Sequence, residues 1–143
     1  MAVNWCRRSG IKMYRVLLDT SFIIMAIDLS KDLFSQLRQL LGSVELVVTS
    51  KVVEELEKMS GKEGYKSRKA NLALNIIRNF KIIPVEESVS TDQSILKLAL
   101  KEKFIVATTD SDLIKKLKKL GIPVIYVKDG ILKFEENYGF LGG

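Results

Sequence analysis

The sequence predicts a single, compact three-layer α/β domain in which a central parallel sheet of four to five strands is flanked by helices. Short apolar runs, mostly of β-branched residues and bounded by polar ones, are typical of buried parallel strands. The segments between these runs carry apolar residues at helical spacing. Strand and helix therefore alternate along the chain, which favours a parallel sheet covered on both faces. A chain of 143 residues with 47% hydrophobic content can bury the core of one such domain.

The predicted parallel strands are the apolar runs at residues 16–18, 46–48, 82–83, 105–107 and 124–127. The first run ends on Asp19, followed by two hydroxyl residues and a further apolar segment, as at a junction between a strand and a helix. After the last parallel strand, residues 128–131 contain Asp129-Gly130, which is typical of a tight turn. This turn predicts a short final strand at 131–134.

Each predicted helix is recognised by an apolar stripe on one face. The stripes are Leu33, Leu37, Leu40 and Leu41; Val52, Leu56 and Met59; Ala73, Ile76, Ile77 and Phe80; Ile95, Leu96 and Ala99; and Leu113, Ile114, Leu117 and Leu120. Residues 60–69 contain two glycines among several lysines and arginines, which predicts a flexible basic connection leading into a helix. Gly121 followed by Pro123 is a typical end for the last helix.

The ends of the chain are predicted to lie outside the domain, which spans residues 13–136. Residues 1–12 form an N-terminal extension that need not be ordered and that is either an addition from start-site choice or cloning or a real basic arm. Residues 137–143 are predicted to be a frayed tail. Residues 1–12 lack the apolar block of a secretory signal, no apolar run approaches the roughly 20 residues of a membrane span, and Cys6 is the only cysteine. We therefore expect a protein of the reducing cytoplasm.

The charge balance favours polyanionic partners and the absence of histidine restricts the chemistry. Lysine and arginine total 23 against 17 acidic residues, a formal net charge of +6, which supports nucleic-acid binding only weakly unless the charge is clustered. With no histidine in the chain, histidine general bases, histidine-ligated zinc and Ser-His-Asp triads are excluded. Any catalysis has to use carboxylates, lysines or hydroxyls.

Several acids are predicted to meet at one edge of the sheet. Asp19 ends the first strand, and Asp92 and Asp110 each continue the apolar stripe of the helix that they begin. At about 100° of rotation per residue, Glu55 falls at the margin of its helix stripe. Glu54 falls nearly opposite that stripe, with Lys58 at i+4 as a partner for a solvent-exposed ion pair.

Helix capping is the competing explanation, because aspartate at a helix start caps free N–H groups and complements the helix dipole. Capping is sufficient for Asp19, Asp92 or Asp110 taken singly. The set of four acids, one from each of four successive junctions between strand and helix, favours a shared site instead. Asp112 is ambiguous, because it lies off the stripe and has Lys116 at i+4; it is either a distal ligand or half of a surface pair.

Four carboxylates in one place would raise each other's pKa values unless a cation neutralised them. Ligation by oxygen alone suits hard cations such as Mg²⁺ or Mn²⁺. Such ions activate water for attack on a phosphodiester. The basic excess would then serve as contacts to a phosphate backbone.

The chain resembles the PIN domain family of metal-dependent nucleases over about residues 13–134. The resemblance rests on Val16-Leu17-Leu18-Asp19-Thr20-Ser21, Val52-Val53-Glu54-Glu55-Leu56, Thr91-Asp92, Val106-Ala107-Thr108-Thr109-Asp110-Ser111-Asp112-Leu113 and Gly121-Ile122-Pro123-Val124-Ile125-Tyr126. It implies that Asp19, Glu55, Asp92 and Asp110 are metal ligands and that Asp112 is a variable fifth acid. It also implies that Ser21 and Thr108 are hydroxyls near the metal. Gln93 stands where some relatives carry a further acid, so the resemblance leaves one or two metals open.

Two groups within the family are similar to this chain: toxin ribonucleases of toxin/antitoxin pairs and PIN proteins of ribosomal RNA processing. The 107–113 run and the lysine-rich helix after it are closer to the second group. The resemblance therefore implies a ribonuclease that uses Mg²⁺ or Mn²⁺, with RNA and either an antitoxin or a ribosomal precursor as partners. It leaves a homodimer open, although no self-complementary stripe is seen in the sequence.

The candidate phosphate contacts are Lys51, Lys62, Lys66, Arg68, Lys69, Lys115 and Lys116. Two other functions compete with the ribonuclease. A non-catalytic RNA-binding or scaffold module would explain the basic charge without turnover. A phosphoacceptor receiver domain also gathers acids around Mg²⁺, but that fold usually has paired acids after the first strand, and Leu18-Asp19-Thr20 lacks the pair.

Overall fold

The computed structural model describes residues 5–8, 11–29 and 31–136, and within them one β-sheet carries helices on both faces. The strands are β1 (Trp5–Arg8), β2 (Ile11–Leu18), β3 (Val44–Thr49), β4 (Lys81–Ile83), β5 (Ile105–Ala107), β6 (Val124–Lys128) and β7 (Ile131–Glu135). The helices are α1 (Thr20–Asp28), α2 (Leu33–Leu41), α3 (Ser50–Ser60), α4 (Tyr65–Ile77), α5 (Thr91–Lys101) and α6 (Ser111–Lys119).

Five strands run parallel in the order β4-β3-β2-β5-β6, with β7 antiparallel at the β6 edge and β1 antiparallel to β2. The chain builds outward from β2 through β3 to β4 and then crosses to β5 on the other side of β2. The strand order thus reverses between β2 and β5. In open parallel sheets, ligands bind at the carboxyl ends of the strands beside such a reversal.

Two apolar layers cover the sheet, so the predicted three-layer α/β architecture is confirmed. Val16 and Leu18 point into a core shared with α1 to α4, whereas Leu17 between them points into a core shared with α5 and α6. This alternation is the two-residue period of a strand that is buried on both faces. The five predicted parallel strands and the final strand are all present, and β1 was not predicted.

Local sequence signals account for the helix ends and the last turn. Asp110 caps α6, and Gly121 (φ 74°) ends it, with the Ile122 N–H bonded to the Leu117 carbonyl as in a Schellman motif. Asp129 and Gly130 both have positive φ, 55° and 75°. These angles define a type I′ turn, which matches the twist of the β6 and β7 strands that it joins.

The predicted flexible connection at 60–69 is wrong in its second half. Only residues 61–64 lie between the helices, because α4 begins at Tyr65. Ser67 is buried and its hydroxyl donates to the Ser60 carbonyl at 2.8 Å, which ties the start of α4 to the end of α3. The buried face of α4 is formed by Ser67, Ala70, Ala73 and Ile77, and the small side chains of the first three allow close packing against α3. Ile76 is exposed instead.

Further predictions concern residues at the ends of the helices and at the ends of the domain. Leu40 and Leu120, predicted on buried stripes, are exposed, since each lies at the last turn of its helix. The predicted boundary at residue 13 falls inside β2, and the predicted tail at 137–143 lies outside the described residues. Among the helices described, none combines the length and apolarity that crossing a membrane requires.

Candidate active site

Four acids reach the same edge of the sheet from four different junctions. Asp19 follows β2, Glu55 lies on α3 after β3, Asp92 lies in the first turn of α5 after β4, and Asp110 follows β5. The register places Leu18 opposite Ala107 in the parallel pair β2 and β5, and the Asp19 N–H donates to the Ala107 carbonyl at 2.9 Å. Asp19 and the residues after β5 therefore emerge side by side, where the strand order reverses.

Asp19 is a buried carboxylate held by hydroxyls. It is 5% exposed, and its Oδ2 accepts hydrogen bonds from Ser21 Oγ at 2.7 Å and from Thr108 Oγ1 at 2.8 Å. Burial raises the pKa of Asp19; the two hydroxyls lower it, and the charge of Glu55 raises it further. Asp19 occupies the N-cap position of α1 without a side-chain capping bond, so capping does not explain this acid.

The Ser21 and Thr108 hydroxyls also connect the two strand ends. Their oxygens are 3.1 Å apart. Ser21 Oγ accepts from the Thr109 N–H at 3.0 Å, and Thr108 Oγ1 accepts from the Asp110 N–H at 3.1 Å. The end of β2 and the loop after β5 are thereby fixed to each other around Asp19.

Glu55 is fixed by two threonines that sequence reasoning did not assign to the site. Its Oε1 accepts hydrogen bonds from Thr20 at 3.1 Å and from Thr91 at 2.5 Å. Glu54 on the same helix pairs with Lys51 at 3.5 Å rather than with the predicted Lys58. Of the two glutamates, it is therefore Glu55, the one that helical phase selects, that bonds to residues at the starts of α1 and α5.

Asp92 is the most clearly coupled of the four acids. Burial raises its pKa, and the negative charges of Asp19, Asp110 and Glu55 raise it further, while the charge of Lys116 lowers it. These interactions place all four acids within one electrostatic neighbourhood. Asp92 is not the N-cap of α5, since Ser90 caps that helix in a capping box with Gln93.

Asp110 and Asp112 differ in their local roles. Asp110 is partly buried and caps α6, its Oδ1 accepting from the N–H groups of Asp112 at 2.9 Å and Leu113 at 3.4 Å. Capping is therefore real for Asp110, although its charge also acts on Asp92. Asp112 is exposed in the first turn of α6.

Of the basic residues predicted to contact phosphate, two are paired with other groups of the protein and five are exposed. Lys51 bonds the Glu87 carbonyl and pairs with Glu54, and Lys69 pairs with Asp28 at 2.5 Å. The others are exposed: Lys62, Lys66, Arg68, Lys115 and Lys116. Among the exposed ones, Lys116 is close enough to Asp92 for its charge to lower the pKa of that acid.

The oxygen atoms of the four acids are of the chemical type that a hard divalent cation prefers. Every acidic donor is a carboxylate, and the raised pKa values of Asp19 and Asp92 reflect burial and mutual repulsion that a cation would relieve. As the side chains stand, however, no group of three or more acidic, cysteine or histidine residues in the described part of the chain is positioned to hold an ion.

Grooves near the site are modest. One of about 300 Å³ adjoins Glu55 and Thr91 and is also lined by Lys51, Lys58 and Val89. A larger groove of about 480 Å³ lies beside α5, from Pro84 to Lys101, and contains none of the four acids. Of these two grooves, the smaller is therefore the one that adjoins the site, through Glu55.

The sequence carries signals for the two threonines that contact Glu55, but these signals are not specific to a functional site. Thr20 and Thr91 each stand at the first position of a helix, beside a candidate acid. Hydroxyl residues are common at helix starts for capping alone, so their contact with Glu55 could not be separated from that role. The Ser90-to-Gln93 spacing is the recognisable signature of a capping box, and it explains why a glutamine follows Asp92.

The fold and the site define a class: a doubly wound α/β domain with carboxylates converging at the carboxyl ends of its parallel strands. A family model described as a PIN like domain matches residues 16–130. The chain belongs to this PIN-like family.

Two curated relatives are archaeal. The chain is 31% identical to Ribonuclease VapC4 of Methanocaldococcus jannaschii, covering 90% of this chain and 100% of the relative. It is 32% identical to Ribonuclease VapC9 of Archaeoglobus fulgidus, covering 87% and 91%. Among solved structures, the PIN domain endonuclease Utp24 superposes with a TM-score of 0.74 at 28% identity, covering 87% of this chain and 92% of that one. A domain of a functionally unknown protein from M. jannaschii superposes at 0.63 with 19% identity, covering 87% and 98%, and shares the fold.

Proposed function

We propose that this chain is an endoribonuclease that hydrolyses RNA phosphodiester bonds with Mg²⁺ or Mn²⁺. The observation that carries the proposal is the convergence of Asp19, Glu55, Asp92 and Asp110 on one edge of the sheet, where Asp92 responds to the charge of the other three. Membership of the PIN-like family and similarity to proteins named as ribonucleases support it.

In this proposal the side chains of the site have three roles: they hold the ion, orient its ligands or bind a phosphate. Asp19, Glu55, Asp92 and Asp110 would hold the ion, with Asp112 available as a distal acid on α6. A bound divalent ion supplies an activated water and neutralises charge on the phosphate. Ser21 and Thr108 orient Asp19, and Thr20 and Thr91 orient Glu55, by the hydrogen bonds described above. Lys116, beside Asp92, is placed to meet a substrate phosphate.

The exposed basic residues would bind the rest of the RNA backbone. Lys62, Lys66 and Arg68 lie around the start of α4, and Lys115 lies next to Lys116 on α6. Phosphate contacts by such residues position a strand without reading its sequence. Lys51 and Lys69 are less available for this role, because each already pairs with an acid.

Two biological settings follow from the family resemblance: a toxin controlled by an antitoxin and a nuclease of ribosomal precursor RNA. The relatives named VapC and the similarity to the endonuclease Utp24 support one setting each. A protein encoded beside this gene that binds the chain and blocks cleavage would support the toxin setting. Cleavage at one position of a ribosomal precursor would support the processing setting.

The direct test replaces Asp19 by Asn and measures cleavage of single-stranded RNA in Mn²⁺. The amide keeps the shape and an acceptor oxygen for Ser21 and Thr108 but removes the charge. Activity should fall by more than the roughly 10- to 100-fold that follows loss of a partner outside the metal ligands. Asp32→Asn is the matched control, because Asp32 is an exposed acid that caps α2 and contacts none of the four acids. Equal cleavage by wild type and Asp19→Asn would refute the proposal.

A second candidate is a non-catalytic RNA-binding module. It is favoured by the open arrangement of the acids, since in the described residues no three of them are positioned to hold an ion. Calorimetric titration with Mn²⁺ separates the two candidates. Binding by wild type that is lost in Asp19→Asn supports the nuclease, and RNA binding without metal binding or cleavage supports the module.

A further inference from the structure

Tyr65, at the first position of α4, is the most exposed aromatic side chain that the described part of the chain contains. It is 62% exposed, and its ring packs into neither apolar core. A large ring that stays mostly in water at the tip of a helical hairpin gains little from burial. Its position suggests a partner with a flat surface.

One face of this ring is held by a fixed cation. Lys69 Nζ lies 4.1 Å from the Tyr65 ring centroid, and the same ammonium pairs with Asp28 at the end of α1. A lysine that is one helical turn from the ring and is anchored by a carboxylate of α1 keeps the ring oriented through a cation–π contact. The ring is thus presented in one orientation while most of its surface remains accessible.

Further basic side chains lie near Tyr65 in the sequence, and one of them contacts the ring. The Arg68 guanidinium carbon lies 5.9 Å from the ring centroid, and Lys62 and Lys66 are exposed on either side of Tyr65 in the sequence. Glu63 is the exposed acid within this segment. An aromatic ring among cations is the combination that binds single-stranded nucleic acid, because bases stack on the ring while lysine and arginine neutralise phosphates.

Helix α1 connects this surface to the acids. Its first residue, Thr20, donates to Glu55, and its last, Asp28, pairs with Lys69. The eight-residue separation corresponds to about 12 Å along a helix at about 1.5 Å per residue. At a stacked spacing of about 3.4 Å per nucleotide, that distance spans about four nucleotides.

From these contacts we propose that Tyr65 is a stacking platform for an unpaired base of the RNA, with Lys62, Lys66 and Arg68 binding the adjoining phosphates. The proposal rests on the proposed ribonuclease function and adds that the RNA is single-stranded where it meets Tyr65, about one length of α1 from the contact between Thr20 and Glu55. Unpaired bases expose the flat face that an aromatic side chain needs, whereas a duplex hides it.

The test measures binding of a fluorescent single-stranded RNA and of its duplex by anisotropy, with every variant in the Asp19→Asn background so that RNA stays intact. Tyr65→Leu should weaken single-strand binding about 5- to 150-fold, the range for loss of one stacked base, and should leave duplex binding unchanged. Tyr65→Phe should bind as the parent does, because it keeps the ring. Leu72→Ala is the matched control, since Leu72 is 53% exposed on the same helix but offers no ring.

Salt dependence separates stacking from charge. Arg68→Gln should reduce the slope of log affinity against log salt by about 0.7, the value for one phosphate of a single strand, whereas Tyr65→Leu should leave the slope unchanged.

Two outcomes would overturn the proposal that Tyr65 stacks on a base. One is equal single-strand affinity for Tyr65→Leu and its parent, and the other is an equal loss of affinity for Tyr65→Leu and Tyr65→Phe. If the wild type cleaves RNA in either case, the proposed function stands and only this inference fails. If the wild type cleaves no RNA, the function fails independently.

Discussion

Replacing Thr108 by Val is the sharpest test of how the site is held. Thr108 is completely buried, donates to Asp19 Oδ2 at 2.8 Å and accepts from the Asp110 N–H at 3.1 Å. Valine has the same shape but offers neither hydrogen bond. A hydrogen bond to a charged group contributes about 1.5–3 kcal/mol, and an unmade bond to a partly buried N–H adds about 1 kcal/mol. We expect the metal-free variant to lose about 2.5–4 kcal/mol of unfolding free energy at pH 8.

The loss should depend on pH in a defined direction. The pKa of Asp19 in the folded chain lies above its ordinary value of 3.8, chiefly because of burial, and Thr108 is one of the groups that limit this rise. Without the hydroxyl, the folded-state pKa rises further, so ionising Asp19 costs more stability as the pH rises above 3.8. At pH 4, where most of that cost is absent, the loss should shrink to about 2 kcal/mol, about 1 for a neutral hydrogen bond to Asp19 and about 1 for the unmade bond to the Asp110 N–H.

Urea denaturation at the two pH values measures both losses, and Thr49→Val is the matched control. Thr49 is also completely buried at a strand end, but its hydroxyl accepts only from the Val52 N–H, as the N-cap of α3. Its replacement should cost about 1 kcal/mol, as for loss of a helix cap, at either pH. A loss for Thr108→Val that is the same at pH 4 and pH 8 would show that the hydroxyl does not act through the Asp19 charge, and it would refute this reasoning.

Three further variants test separate parts of the description. Asp19→Asn should leave the metal-free protein at least as stable as wild type at pH 8, because it removes a buried charge that Glu55 repels; urea denaturation checks this. Thr91→Val should reduce RNA cleavage about 10- to 100-fold by releasing Glu55, as for loss of other groups that orient a ligand; steady-state rates in Mn²⁺ check this. Gly130→Ala should cost about 1–2 kcal/mol, because Gly130 has a φ of 75°, and should not change cleavage.

The strand ends were predictable because burial and charge change there within one residue. The run before Asp19 is apolar on both faces of a strand, so its end in a carboxylate was visible without any structure. Helical phase located Glu55 in the same way, because about 100° of rotation separates neighbouring residues of a helix. These signals are local and depend only on the order of residue types.

Other features depend on contacts between distant segments, which no local pattern encodes. The strand Trp5–Arg8 is defined by pairing with β2. The first turn of α4 contains lysine, arginine and serine and was predicted to be a connection, yet the Ser67 hydroxyl bonds the end of α3. The hydrogen bonds of Thr20 and Thr91 to Glu55 span 35 and 36 residues. Local patterns therefore predicted that the four acids lie near one another, but they did not predict the hydroxyl groups that bond to them.

The groups that orient the acids are hydroxyls rather than cations, and this choice has a consequence for function. Ser21 and Thr108 hold Asp19, and Thr20 and Thr91 hold Glu55, all through neutral donors. A lysine in any of these places would fix the carboxylate equally well but would cancel its charge and oppose a bound metal ion. The nearest lysine on α3, Lys51, is instead paired with Glu54. Neutral donors thus fix the two carboxylates in place and leave them the negative charge that the proposed metal site would need, at a cost in stability that the raised pKa of Asp19 records.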